Sequence, residues 1–359
     1  MTPLLTLLAG LAPQPLAAPL PGDAVVVQAT MVHTADAAIE NGRVVIRDGR
    51  IEAVGPDVGV GERLIEVEGH LTAGMVVLGD RTSLGAEARD ETRQVMDTAD
   101  LVHGYDAESK DWAPFLEAGV TAVLLTPEAG ALVGGRTAVV KPGGAVMSPR
   151  AHLDLCFSTA AFRDGVAPSS YPGALAMLEE HMAGGAGGFG LIKDGLPVHL
   201  SARTRAEGLR AIAFAQRHGL KGALSGVARA GDLAPELKEA GLAVILPPLG
   251  PGSDPRHAAS SAALAKAGVP MGFSLDAKKA SPTALRFTAA QCMKAGMPRA
   301  AAWSALTSQA GAISGTTAGS LAPGSAADLV LWSGDPLDLT SRVERVWIDG
   351  AAVHGGDDQ

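Results

Sequence analysis

Apolar and polar positions recur with two different periods along this chain. Between residues 24 and 70 the period is close to two. Val25 to Ala29, Gly42 to Arg47 and Arg50 to Val54 each read as a strand, and Leu64 to Val67 as a further one. Asp48-Gly49 stands between two of them and predicts a hairpin, because a two-residue hairpin turn asks for positive φ at both positions. From about residue 71 short apolar runs alternate with stretches of helical period. The expected strands are Met75 to Leu78, Val120 to Leu125, Leu153 to Phe157, Val198 to Leu200, Gly222 to Leu224, Ala243 to Leu246 and Met271 to Leu275. The expected helices are Trp112 to Ala118, Pro172 to His181, Arg205 to Arg217, Ala234 to Ala240, His257 to Ala267, Thr283 to Ala295 and Arg299 to Ile313. Gly119, Gly219, Gly241 and Gly268 follow helices in the usual stop position, and Pro282 and Pro298 stand at helix starts. After residue 319 strand character returns, in Ala327 to Trp332 and in Arg345 to Ile348, the latter closed by Asp349-Gly350.

Repeated strand–helix units imply parallel strands joined by right-handed crossovers. The expected fold is α/β: a (β/α)₈ TIM-like barrel over residues 71–319, truncated or with one strand weak. An open doubly wound sheet is the alternative. Residues 23–70 and 320–355 are expected to pair as one composite β-sandwich. Residues 1–22 form a separate leader.

That leader, MTPLLTLLAGLAPQPLAAPLPG, carries a short apolar run from Leu4 to Leu11, then small residues at Ala17 and Ala18. It reads as a signal peptide for export to the periplasm or outside the cell, although no Lys or Arg precedes the apolar run; a cytoplasmic protein with an N-terminal extension is the alternative. No other run is long and apolar enough to span a bilayer. Hydrophobic residues at 47% and charged residues at 19% fit a folded chain and argue against disorder. The net charge of -9, with no basic stripe, argues against nucleic-acid binding. Cys156 and Cys292 have no zinc spacing; two buried unpaired thiols are expected, a single bridge being the alternative.

The run Gly319-Ser320-Leu321-Ala322-Pro323-Gly324-Ser325-Ala326-Ala327-Asp328-Leu329-Val330-Leu331-Trp332, continued by Asp335-Pro336-Leu337, resembles the closing signature of the amidohydrolase superfamily. Asn41-Gly42-Arg43 through Asp48-Gly49-Arg50-Ile51 resembles its opening strands, and Ala118-Gly119-Val120-Thr121-Ala122-Val123 an early barrel strand. Gly134-Gly135-Arg136 through Lys141 is similar to a loop and strand of the imidazolonepropionase-like branch. The resemblance implies a metal-dependent (β/α)₈ barrel in which zinc or another divalent ion activates water for hydrolysis, commonly of C–N bonds.

The same alignment places unusual residues at the ligand positions. Gly79 and Arg81, in Gly74-Met75-Val76-Val77-Leu78-Gly79-Asp80-Arg81, stand where the family has a His-x-His pair. Glycine has no donor atom, and arginine no free lone pair. Ser201 stands at the fifth-strand histidine, with Arg203 two residues on; a two-residue slip would bring His199 there instead. Gly226 falls at the sixth-strand histidine, Asp276 at the eighth-strand aspartate, and Asp154 near the place of a metal-bridging lysine. A catalytic zinc takes three protein ligands, so no cofactor is expected. Arg81 and Arg203 are expected to compensate Asp276 and Asp80, because an unpaired buried charge is costly. The leading expectation is a non-catalytic homologue that binds a small anionic ligand through Arg81, Arg203, Ser201, Asp80, His199 and Asp154, or a partner protein such as an active relative. A hydrolase with a remodelled, at most mononuclear site using His199, Asp276 or Asp154 is the second expectation, and a structural scaffold the third.

His152, Asp154, Cys156 and Ser158 share one strand face, but His152 and Cys156 lie about 13 Å apart at ~3.3 Å per residue, which excludes a direct nucleophile–base pair. Gly185 to Gly190 matches G-x-G-x-x-G, yet it follows a helix and is expected to open none, so it reads as a connection. Lys141 reads as a surface or strand-end lysine. The charged runs Glu87 to Arg93 and Asp106 to Asp111 read as solvated loops, with a lid over the barrel mouth as the alternative.

Overall fold

In the computed structural model, residues 23–35, 37–84, 92–275 and 280–355 are described. The leader at 1–22, Asp276 and the charged run from residue 87 to 91 lie outside them. The chain is a mixed α/β protein. It opens with β1 (Val25–His33), β2 (Ala38–Glu40), β3 (Arg43–Arg47), β4 (Arg50–Gly55) and β5 (Arg63–Ala73). Then come β6 (Met75–Asp80), α1 (Ala113–Glu117), β7 (Val120–Leu125), β8 (Val133–Arg136), β9 (Ala138–Val140), β10 (Val146–Ser148) and β11 (Leu153–Cys156). The middle continues through α2 (Tyr171–Gly184), α3 (Gly187–Lys193), β12 (Val198–Ser201), α4 (Arg205–His218), β13 (Gly222–Ser225), α5 (Ala234–Ala240) and β14 (Ala243–Leu246). It ends with α6 (Pro255–Ala267), β15 (Met271–Phe273), α7 (Ala284–Lys294), α8 (Arg299–Leu306), α9 (Ser308–Ile313), β16 (Leu329–Trp332), β17 (Val343–Ile348) and β18 (Ala351–His354). Among the described residues no helix is long and apolar enough to cross a membrane.

The two β-rich ends share one sheet, in the order β18-β17-β16-β5-β1-β3-β4, with β2 on β1. Both Asp-Gly turns take the expected left-handed backbone, with φ of 49° and 73° at Asp48 and Gly49, and 49° and 77° at Asp349 and Gly350. A second sheet runs β10-β9-β7-β6 and a third β15-β14-β13-β12-β11-β8. In the third, β11 to β15 are parallel throughout. The two sheets touch at both ends. The Leu275 N–H donates to the Gly79 carbonyl at 3.0 Å. At the other end Thr137 alone separates β8 from β9. Val76, Leu78, Ala122, Leu124, Ala223, Ala243 and Ile245, drawn from both sheets, pack into one buried cluster with Ala310 of α9.

Three expectations are corrected here. The weak strand is Val133 to Val140, and it runs antiparallel to β11 and to β7 instead of parallel. It is reached from β7 without a crossover helix, so nothing forces the parallel direction. The helix expected over Arg299 to Ile313 breaks at Thr307, whose φ of -129° and ψ of -105° are not helical. Gly319 lies against the Thr307 backbone there, where a Cβ would come within 2.5 Å. The glycine run at 185–190 does open a short helix, α3.

Lys141 stands just past β9 and is buried. Its Nζ reaches Asp328 Oδ1 at 2.8 Å and Asp349 Oδ1 at 2.7 Å. Asp328 Oδ1 also accepts the Asp349 N–H at 2.9 Å. The second sheet is thereby fastened to the sheet made by the chain ends. Trp332 seals the same boundary. Its indole donates to Thr72 Oγ1 at 2.9 Å, and Gly119 leaves room for its ring, since a Cβ there would lie 2.9 Å from it. Removing one partner of such a buried pair leaves an uncompensated charge, at a typical cost of about 3–5 kcal/mol. Lys141→Met is therefore expected to lower unfolding free energy by about that amount in urea titration. A loss below about 1 kcal/mol would place the boundary's stability elsewhere.

Candidate functional site

The ends of β11 and β12 in the third sheet are set by local capping chemistry. Thr204 caps α4 in a full capping box: its hydroxyl accepts the Glu207 N–H at 3.2 Å, and Glu207 Oε2 accepts the Thr204 N–H at 2.9 Å. Buried Glu207 accepts three more donors: the Arg203 N–H at 2.8 Å, the Tyr171 hydroxyl at 2.7 Å and the Thr159 N–H at 3.4 Å. One carboxylate thus fixes where β12 stops and how the segment after β11 lies beside it. The sequence carried its signal as Thr-x-x-Glu before an apolar helix.

Below that cap, β11 and β12 pair with Asp154 opposite His199 and Cys156 opposite Ser201. Asp154 Oδ1 meets His199 Nδ1 at 2.6 Å, with both side chains buried. A carboxylate can only accept, so Nδ1 carries a proton and Nε2 is the nitrogen left to face other groups. Gly134 makes the space for this carboxylate, because a Cβ there would lie 2.5 Å from Asp154 Oδ2. Ser201 Oγ is buried with no hydrogen-bond partner among the described residues. The Cys156 thiol lies 3.3 Å from Ser158 Oγ, and both cysteines are free and buried. His152 sits deeper. Its Nε2 donates to the Ile313 carbonyl at 2.9 Å, and Thr137 Oγ1 lies 3.3 Å from Nδ1. Burial, with His199 close by, pushes its pKa down to about 3, so the ring is neutral.

The remaining expected residues are dispersed around this pair. Asp80 ends β6 half-buried, its Oδ1 accepting the Thr82 N–H at 2.6 Å. Burial raises its pKa above the usual carboxylate range, although Thr82 and the Arg81 charge pull the other way. Arg81 is half-buried beside it. Arg203 is exposed in the turn before α4, where its backbone, through Glu207, is the part in use. Asp276 lies outside the described residues, so its pairing with the arginines does too.

Two of the positions aligned with metal-binding histidines have a backbone that disfavours any side chain. Gly79 has φ of 110°, at a bulge between β6 and β7. Gly226 has φ of 83°, and a Cβ there would come 2.5 Å from the Ala202 carbonyl oxygen. Left-handed φ of this kind is cheap for glycine and costly for histidine. Among the described residues no three His, Cys, Asp or Glu side chains gather as a metal site needs. His199 and Asp154 bind each other. Among the described residues these donors fall short of the three protein ligands of a catalytic zinc centre, and Asp276 lies outside them.

No family model and no curated protein matches this sequence. Solved structures do match in fold. An amidohydrolase from Thermotoga maritima MSB8 superposes with a TM-score of 0.80 at 21% identity, over 92% of this chain and 99% of that one. An adenosine deaminase from Xanthomonas campestris with bound zinc gives 0.58 at 17% identity, over 95% and 96%. An ochratoxinase from A. niger gives 0.61 at 15% identity, over 94% and 99%. At these identities the likeness is one of fold.

His152 supplies a test of the interior. The folded ring takes up a proton only near pH 3, and an unfolded one near 6.5. As pH falls through that window the unfolded state binds the proton first, so stability falls. The loss between pH 7 and pH 4.5 is expected to be about 2–3 kcal/mol from this group. Denaturant titrations should show it in the parent protein and lose it in His152→Gln. An equally steep fall in the variant would exonerate His152.

Proposed function

We propose that this chain is an amidohydrolase-superfamily protein, with a (β/α)₈ barrel and a composite β-sandwich, that has given up metal-assisted hydrolysis and binds a small anionic molecule at the barrel mouth. The barrel reading rests on the apolar cluster shared by the second and third sheets and on the Leu275–Gly79 hydrogen bond that links their edges. Its eighth strand is the antiparallel Val133 to Val140 segment. The observation that carries the loss of metal chemistry is the backbone at Gly79 and Gly226. Restoring histidine there takes more than a side-chain exchange, because each position holds a conformation that glycine alone adopts freely. The anionic preference follows from Arg81 beside the strand ends, since a guanidinium engages a carboxylate in a bidentate pair. A leader that directs export belongs to the same reading, as does an active relative in place of the small molecule.

Elemental mass spectrometry of the protein, after zinc loading and desalting, tests this. No stoichiometric metal is expected. One tightly held metal per chain would overturn the reading and turn attention to ligands that include Asp276.

The Asp154–His199 pair favours a second reading, a hydrolase of amide or cyclic amide bonds with a remodelled site. A carboxylate that orients an imidazole leaves Nε2 as the nitrogen to take a proton from water. A panel of linear and cyclic amides separates the two. Under the first reading no substrate turns over above background. Under the second, turnover appears and falls by about 10²–10⁴-fold in His199→Ala, the usual contribution of a general base.

A further inference from the structure

A cavity of about 280 Å³ lies between the loop after β14 and the outer side of α7. That is just under the usual range for small-molecule pockets, roughly 300–1,000 Å³. None of the residues discussed above as site candidates lines it. Its walls are Leu249, Pro251, Ala258 and Phe287, and its polar end is made by Gln291 and Lys294. The last three of α7, Phe287, Gln291 and Lys294, follow one another at four and three residues, so they form a single stripe spanning about 10 Å of helix.

The polarity of this stripe is defined. Asp254 also borders the cavity. Its carboxylate is already held by Arg256, through Nε at 2.9 Å and Nη2 at 2.7 Å, so it does not oppose an incoming anion strongly. The Lys294 ammonium and the Gln291 side-chain amide, by contrast, make no hydrogen bond or ion pair with any described residue. The loop across the cavity is preset: Leu249 N–H donates to Thr288 Oγ1 at 2.9 Å, and Gly250 N–H to Ser253 Oγ at 2.9 Å. Phe287 and Gln291 are half-buried and Lys294 is exposed, so the slot opens at the surface with a cation and an amide at its rim.

We infer that this slot is a second ligand site, independent of the barrel mouth, for a small monocarboxylic acid with an aryl or aliphatic body. The body lies against Phe287 and Leu249, and the carboxylate accepts from Lys294 Nζ and Gln291 Nε2. A charge-assisted hydrogen bond of this kind strengthens binding by about tenfold over a neutral group of the same shape.

The probe is 3-phenylpropionate, titrated by calorimetry against the full chain, with 3-phenylpropanol as its uncharged counterpart. Saturable binding of the acid is expected, about tenfold tighter than the alcohol. Lys294→Met should erase that preference while leaving the weaker binding of the alcohol. Phe287→Ala should weaken both ligands, and the thermal unfolding curve of each variant establishes that it is folded. Arg81→Ala should leave the Lys294-dependent component of the acid's binding in place, which separates this slot from the mouth. The inference is overturned if no saturable binding appears at millimolar acid, if Lys294→Met keeps the preference, or if Arg81→Ala abolishes it.

Discussion

One buried ammonium holds the two parts of this molecule together. Lys141 emerges from the second sheet and ends between two carboxylates, Asp328 and Asp349, that flank strands of the terminal sheet. Taking a lysine out of water is costly unless its charge is met, and here it is met from two points of the chain about twenty residues apart in sequence. The pairing sets the distance and angle between the sheets more narrowly than apolar contact could, because charge-assisted hydrogen bonds are short and directional. Trp332 then fills the seam, against Gly119 on one side and beneath the Arg286 guanidinium, 4.7 Å from its ring, on the other. The closing run of the sequence is thus an interlocking device: Asp328 supplies the charge and Trp332 the volume.

The interior of the strand region follows a similar economy. Asp154 and His199 satisfy each other at the pairing of β11 with β12, and Gly134 on β8 is small because the carboxylate needs its space. A polar pair in such a place must be complete or absent. Around it, glycines at 79 and 226 carry the chain through bends that a ligand-bearing residue would resist. Under the proposed function, what separates this site from a metal centre is written in the main chain as much as in the side chains.

Much of this was legible in sequence. The Asp-Gly turns, the left-handed glycines closing α4, α5 and α6, and the parallel run from β11 to β15 all follow local rules of turn, cap and period. The Val133 to Val140 segment was legible as a loop and strand only through the family resemblance, because two glycines at its start weaken any strand pattern, and its antiparallel direction is a property of its neighbours. The break at Thr307 was hidden too: Gly319 packs against its backbone, a contact that no helical period encodes. At the site, the sequence named Asp154 and His199 separately. Their contact depends on register between strands more than forty residues apart, which no local pattern encodes. Lys141 and Glu207 show the reverse case: their residue types suggest solvent, and only tertiary context makes them structural anchors.

The terminal sheet also has a history in time. β5 receives β1 early, but its other edge waits for β16, roughly 250 residues later in synthesis. At 5–20 residues per second that wait is about 10–50 s. Through this interval the nascent chain presents an open edge of backbone donors and acceptors, which is a template for pairing with the wrong strand. β16 pairs with His70 to Ala73 of β5, so the edge that waits is four residues long. An edge this short offers few backbone groups to a wrong partner, so brevity itself guards the wait.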